Sequence, residues 1–281
     1  MGKQLIMESG IELSANQKKT FVLPNEPISK LIIKMVGSHS GGTGTYVANT
    51  FLQSIRIKLN GREFEHWGGE NPSGEVPYGI AAMREFNKVD NRIADPNNRW
   101  VLKWPDALPE NLPKTLEIQA NSLAGMGYSV APTMPTLEIS YETEDILPDR
   151  VVVRKNLWNK RVMTAKSKDS FYLEGLDDGF SAASIAFHLV DAAVEITQST
   201  GVNFELEIFQ GADQLFAGTY ADLMADHQSA AGIAPTAGWA VLPLNLRKFS
   251  ANQVRIKYTN LDTSTYDEMA LHYYLLELAE V

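Results

Sequence analysis

The chain has 281 residues, 44% of them hydrophobic and 21% charged, with no cysteine and a formal net charge of −9. That length suits two domains or one large β fold, and that composition is ordinary for a globular protein. The lack of cysteine excludes a disulfide framework and any thiolate nucleophile or thiolate metal site, and it fits synthesis in a reducing cytoplasm. An acidic balance argues against a protein that coats nucleic acid over its whole surface. No stretch approaches about 18 consecutive apolar residues, so no membrane-spanning helix is expected. Met1 to Lys19 reads as neither a signal peptide nor an anchor, and Ile6 stands where an N-myristoylation signal needs serine or threonine.

In chain order, the dominant pattern is period-two alternation. Ile55, Ile57 and Leu59 alternate with Arg56 and Lys58, and Asn60-Gly61 follows as a tight hairpin turn. Tyr78–Val89, apolar at Ile80, Met83 and Phe86, predicts a short helix. Alternation returns at Leu116/Ile118 and at Leu137/Ile139/Tyr141. Past the Leu147-Pro148-Asp149 break it recurs at Phe204/Leu206/Ile208 and Val254/Ile256/Tyr258, with a second short helix over Tyr220–His227. Successive strand side chains point to opposite faces, so each run offers one face to a core and one to solvent or a partner.

These elements repeat. Ser54–Trp67 with its Asn60-Gly61 turn is matched by Asn203–Tyr220 with Gln210-Gly211, and each leads into a helix and a loop rich in Gly, Pro and Asn. Trp100-Val101-Leu102 then corresponds to Trp239-Ala240-Val241-Leu242. Leu116-Glu117-Ile118 corresponds to Val254-Arg255-Ile256, and Leu137-Glu138-Ile139 to Leu275-Leu276-Glu277. The last two blocks lie 21 residues apart in both halves. Preserved order and spacing point to two copies of one all-β domain. The expected fold is therefore all-β: two tandem eight-stranded jelly rolls, each with a short helix in a long connection. The N-terminal roll takes residues 1–148 and the C-terminal roll 149–281. An immunoglobulin-type sandwich is smaller and poorer in helix.

Charge is unevenly divided. Residues 1–148 carry 14 basic and 17 acidic side chains, 149–168 carry seven and one, and 169–281 carry four and 16. The basic segment comprises Arg150, Arg154, Lys155, Lys160, Arg161, Lys166 and Lys168. It reads either as an edge strand that resists aggregation through its lysines and arginines, or as a contact for the phosphates of lipid headgroups or nucleic acid.

Catalytic constellations are missing. His39, His66, His188, His227 and His272 are scattered, and there is no HExxH, GxSxG, Walker loop or GxGxxG. Gly41-Gly42-Thr43-Gly44 reads as a flexible loop without a phosphate-binding lysine. Asp177-Asp178-Gly179 reads as a solvated turn, with calcium as the alternative, because hard cations take loop carboxylates. Neighbouring carboxylates such as Asp267-Glu268 do not make the opposed pair a glycosidase needs. Trp100 and Trp239, at equivalent repeat positions, are expected in the core. Trp67 and Trp104 are left as candidates for a sugar-binding surface.

Specific stretches carry a family resemblance: Leu23-Pro24 before a strand at Ile28–Val36, the run Ser54–Arg62, the basic-Asn-aromatic stretch Val153–Lys160, and Ala183–Val190 with Phe204–Gly211. In these the chain resembles the double jelly-roll major capsid proteins of corticovirus-like bacteriophages, which enclose an internal membrane. The resemblance implies a non-enzymatic shell protein of the virion, made in the host cytoplasm. It implies homotrimers whose six rolls approximate sixfold symmetry, contacts with neighbouring capsomers, other capsid proteins and membrane lipids, and no small-molecule substrate. No cofactor is required, with calcium optional at Asp177 and Asp178. The alternative is a carbohydrate-binding or receptor-binding spike protein.

Overall fold

The computed structural model describes residues 4–44, 51–68, 78–90, 99–143, 151–163, 167–172, 180–191, 194–248, 254–261 and 266–279. The chain divides into two compact units. The first comprises Met1–Arg84, Asp95–Arg154 and Leu278–Val281, and the second Glu85–Ala94 and Lys155–Glu277.

The first half of the chain supplies β1 (Gln4–Ile11), β2 (Lys18–Val22), β3 (Ile28–Val36), β4 (Thr43–Gly44), β5 (Leu52–Leu59), β6 (Arg62–Gly68), helix α1 (Tyr78–Asp90), β7 (Arg99–Leu108), β8 (Lys114–Ala120), β9 (Tyr128–Val130) and β10 (Thr136–Thr143). Eight of these strands form two four-stranded sheets, ordered β1-β10-β3-β7 and β2-β8-β5-β6. The chain crosses repeatedly between the two sheets, which is the winding of a jelly roll. The alternation read from sequence selects the inner faces: Ile55 pairs with Ile118 and Ile57 with Leu116, and all four are fully buried. Burying each such side chain contributes roughly 1.5–3 kcal/mol.

The second half repeats the plan with β11 (Val151–Met163), β12 (Lys168–Tyr172), β13 (Phe180–Asp191), β14 (Val194–Glu195), β15 (Phe204–Gln210), β16 (Asp213–Thr219), helix α2 (Tyr220–Ala231), β17 (Trp239–Lys248), β18 (Val254–Asn260) and β19 (Tyr266–Ala279). One sheet runs β11-β19-β13 with β17 and β14 also on β13, and the other runs β12-β18-β15-β16. Leu206, Ile208, Ile256 and Tyr258 pair across β15 and β18 and pack with Ile185, Phe187, Phe204, Tyr220 and Leu223. Each helix follows the sixth strand of its roll and precedes the seventh. All the paired blocks of the sequence repeat fall on corresponding strands. The fold is two jelly rolls in tandem, as the sequence led one to expect.

Local chemistry fixes the joints. Asn60 (φ 48°) and Gly61 (φ 77°) make the turn between β5 and β6, since both tolerate the left-handed region. Helix α2 starts with a capping box: Thr219 accepts from the Asp222 backbone N–H, and the Asp222 carboxylate accepts from Thr219. It ends at Gly232 (φ 75°), whose N–H reaches the Gln228 carbonyl. Gly41–Gly44, expected as a loose loop, instead ends in β4, paired with β9. A Cβ on Gly44 would run into the Gly127 carbonyl, so glycine is required there by close backbone approach rather than by flexibility. Among the described residues, no helix is long and apolar enough to cross a membrane.

Candidate functional site

The basic segment is split by the structure. Arg154, Lys155, Lys160 and Arg161 lie on β11, which stands at the end of its sheet and pairs with β19. Lys168 opens β12 and is exposed. Arg150 and Lys166 lie outside the described residues, as do Asp177 and Asp178. An edge strand presents one row of backbone groups without a sheet neighbour, and lysine and arginine are the residues that keep such an edge from pairing with other chains.

Trp67 and Trp104 are not at the surface. Each is 2% exposed, and both indole N–H groups donate to the Glu65 carboxylate, Trp104 at 2.8 Å. Glu65, itself 1% exposed, thus anchors β6 to β7 through two neutral donors. A charged group buried with good partners is the arrangement folding tolerates. The sugar-platform reading of these two tryptophans is overturned, because their faces are consumed by packing. Trp100 and Trp239 are buried as expected, and Trp239 stacks on His188 at 4.6 Å.

The histidines play separate parts. His39 stacks on Tyr128, and burial lowers its pKa. His66 accepts from Arg56 on an outer sheet face. His188 lies 2.7 Å from Glu195. His272 sits on β19 opposite Ala186. Among the described residues, no group of three or more histidine, aspartate or glutamate side chains is placed to hold a metal ion.

Sequence reading passed over a buried charged cluster in the second unit. Glu85, on the C-terminal half of α1, is 1% exposed. Lys88 donates to both its oxygens, at 2.9 and 3.1 Å, and the Thr236 N–H and hydroxyl donate to it as well. Lys88 also reaches the Thr236 hydroxyl and the Ala234 carbonyl. On α2, His227 is fully buried; its Nδ1 accepts the Val241 N–H at 3.1 Å, and its Nε2 lies 3.9 Å from Glu85. Burial, assisted by Lys88 and opposed by Glu85, pushes the His227 pKa down to about 4. Tyr220, fully buried beside it, donates to the Phe187 and Gly238 carbonyls, and burial raises its pKa well above the usual tyrosine value. The only sequence signal for this cluster was a helical Glu-x-x-Lys pair, which ordinarily marks a solvated face.

Outer sheet faces carry further charge. In the first unit Glu117 on β8 is met by Lys18 at 2.7 Å, Lys58 at 3.4 Å and Arg56 at 3.8 Å. Burial alone would raise the Glu117 carboxyl, but hydrogen bonds and attraction from Lys18 and Lys58 hold it below the usual carboxylate range. In the second unit Lys257 on β18 pairs with Glu207 at 3.2 Å and sits 4.6 Å from the Phe209 ring, which Arg255 approaches at 5.1 Å. None of these groups converges with a nucleophile or a proton relay. What the sites offer chemically is cohesion and charged surface.

No family model matches the chain, and no curated protein matches it in sequence. Solved structures do match in fold. The major capsid protein P2 of bacteriophage PM2 is similar over 99% of this chain and 98% of its own, at 12% identity and a TM-score of 0.65. The major capsid protein of STIV is similar over 100% and 98%, at 14% identity and a TM-score of 0.67. The capsid of the virus PBCV-1 is similar over 99% and 93%, at 10% identity and a TM-score of 0.57. At such identities the likeness speaks to architecture, and it covers both rolls from end to end. This chain has the double jelly-roll fold shared by those capsid proteins.

Proposed function

We propose that the chain is a structural subunit of an icosahedral viral shell, a major capsid protein that assembles as a homotrimer over an internal membrane. The observation that carries this reading is full-length agreement, roll for roll, with the capsid proteins of PM2 and STIV. A tandem repeat also has a geometric use. Two similar rolls per chain and a threefold axis make a pseudo-hexagonal capsomer, and the two copies are free to diverge at their different contacts. The domains are taken as residues 1–148 and 149–281. The partners are two further copies, neighbouring capsomers and other capsid proteins of the virion, with synthesis in the host cytoplasm. No enzymatic step is assigned.

The basic segment is assigned to anionic phosphates of membrane lipid. Calcium is not required, and Asp177 with Asp178 are its candidate carboxylates. The carbohydrate-binding alternative has lost its aromatic platform with the burial of Trp67 and Trp104. Light scattering on the purified protein tests the reading. A mass of three times the 31.1 kDa monomer is expected, and a monomer at every concentration contradicts it.

A further inference from the structure

We propose that Glu85, Lys88, His227 and the 232–238 loop form an acid-released latch that secures the C-terminal half of α1 and the end of α2 to strand β17. The inference goes beyond the shell-subunit reading and does not depend on it.

The geometry requires this behaviour of His227. Its Nδ1 is already occupied as acceptor for the buried Val241 N–H, so the neutral ring carries its proton on Nε2. A second proton has to arrive at Nδ1 and therefore breaks the bond that fastens α2 to β17. The resulting imidazolium would be fully buried, with the Lys88 ammonium as a near neighbour. Glu85 is the one carboxylate at hand among the described residues, and it is already committed to Lys88 twice and to Thr236 twice. Its nearest oxygen is 3.9 Å from Nε2, too far for a hydrogen bond, and among the described residues no group bonds that nitrogen.

The other titratable groups do not relieve the charge. Tyr220, on the same helix, donates to the Phe187 and Gly238 carbonyls, which keeps its proton away from the cluster. His188 and Glu195 pair with each other beside Gly238, the last residue of the loop. Protonation of His227 therefore sets two cations against one carboxylate among the described residues of a buried site, and the cheapest relief is to hydrate it. The pieces that can yield are the ones held by this cluster: the loop, through Thr236 and Ala234, and the last turns of α1, through Glu85 and Lys88. Depression of the His227 pKa to about 4 is the linkage counterpart of the same resistance.

The test is amide hydrogen exchange of the whole chain between pH 7.5 and 4.0, corrected for intrinsic exchange. Residues 85–90 and 232–241 should lose protection at least tenfold as the pH falls below the ordinary histidine range, while β5 and β8 stay protected. His227→Asn keeps an acceptor at the Nδ1 position with nothing to titrate, so it should retain protection at neutral pH and abolish the selective acid response. A variant that opens with the wild-type pH profile overturns the latch. Should that variant not fold, histidine ring NMR of the wild type decides: one of the five histidines must titrate near 4, coincident with opening of 232–241. Five resonances titrating near 6.5, or opening uncoupled from the low one, overturn it equally.

Discussion

In the first unit Arg56 on β5 lies opposite Glu117 on β8; in the second unit Glu207 on β15 lies opposite Lys257 on β18. One step along, the buried pairs are Ile57 with Leu116 and Ile208 with Ile256. Both units turn apolar pairs inward, while on the outer face the cation and the anion sit on exchanged strands. A core position must fill a fixed volume, and a wrong side chain there costs several kcal/mol. An outer position in a sheet needs only a compatible cross-strand partner, so the pair can invert as long as both members change. The units differ also in how they bury a carboxylate. Glu65 is held by two neutral indoles, whereas Glu85 is held by an ammonium and a hydroxyl. The two indoles do not titrate, whereas the Glu85 arrangement borders on His227.

Removing the supports of the two carboxylates should give the largest effects. Trp104→Ala is expected to cost about 4 kcal/mol or more in urea unfolding, from the cavity and from the Glu65 lone pairs left unmatched. Lys88→Met is expected to cost about 3–5 kcal/mol, because Glu85 then stays buried without its cation. Near-neutral results at either site would mean that the carboxylate finds water, and the contrast between the units would collapse.

The pH dependence follows from signs. A folded-state His227 pKa depressed to about 4 means that the unfolded chain takes up the proton first. Its stabilisation is complete above the ordinary histidine pKa and is lost as the pH falls toward 4. Glu117, also lowered, contributes above the ordinary carboxylate pKa and loses its contribution as the pH falls through its depressed value. Unfolding curves should therefore weaken in two steps on acidification, the His227→Asn variant losing only the first and Glu117→Gln only the second.

Outer-face changes should be smaller. Converting the second unit to the polarity of the first, with Glu207→Arg and Lys257→Glu together, should cost less than about 1 kcal/mol, and each single reversal more than the pair. Additive singles would show that the inverted pair is coincidental. Removing the α2 cap with Thr219→Ala should cost about 1 kcal/mol.

Much of this architecture was legible in the residues. Ile28–Val36, the 55–59 alternation, the Asn60-Gly61 turn and the paired Trp100 and Trp239 blocks all lie on the expected elements, because strand patterning and turn chemistry are local. Trp67 and Trp104 stayed open because burial is a long-range property: nothing near either residue says that β6 and β7 share one buried carboxylate. Glu85 escaped notice for the same reason, since a Glu-x-x-Lys pair looks identical on a solvated helix and in an interior. Gly44 looked like flexibility and was close approach, which only its partner Gly127 reveals. The capsid reading came from resemblance and from the fold comparisons, and no reactive group in the chain encodes it.

Electron microscopy of the purified protein or its native particle tests that reading most directly. Class averages showing a threefold capsomer with six similar lobes at a pseudo-hexagonal outline are the expected result. Two-lobed monomers, or an assembly whose lobes do not number six about a threefold axis, would contradict the account.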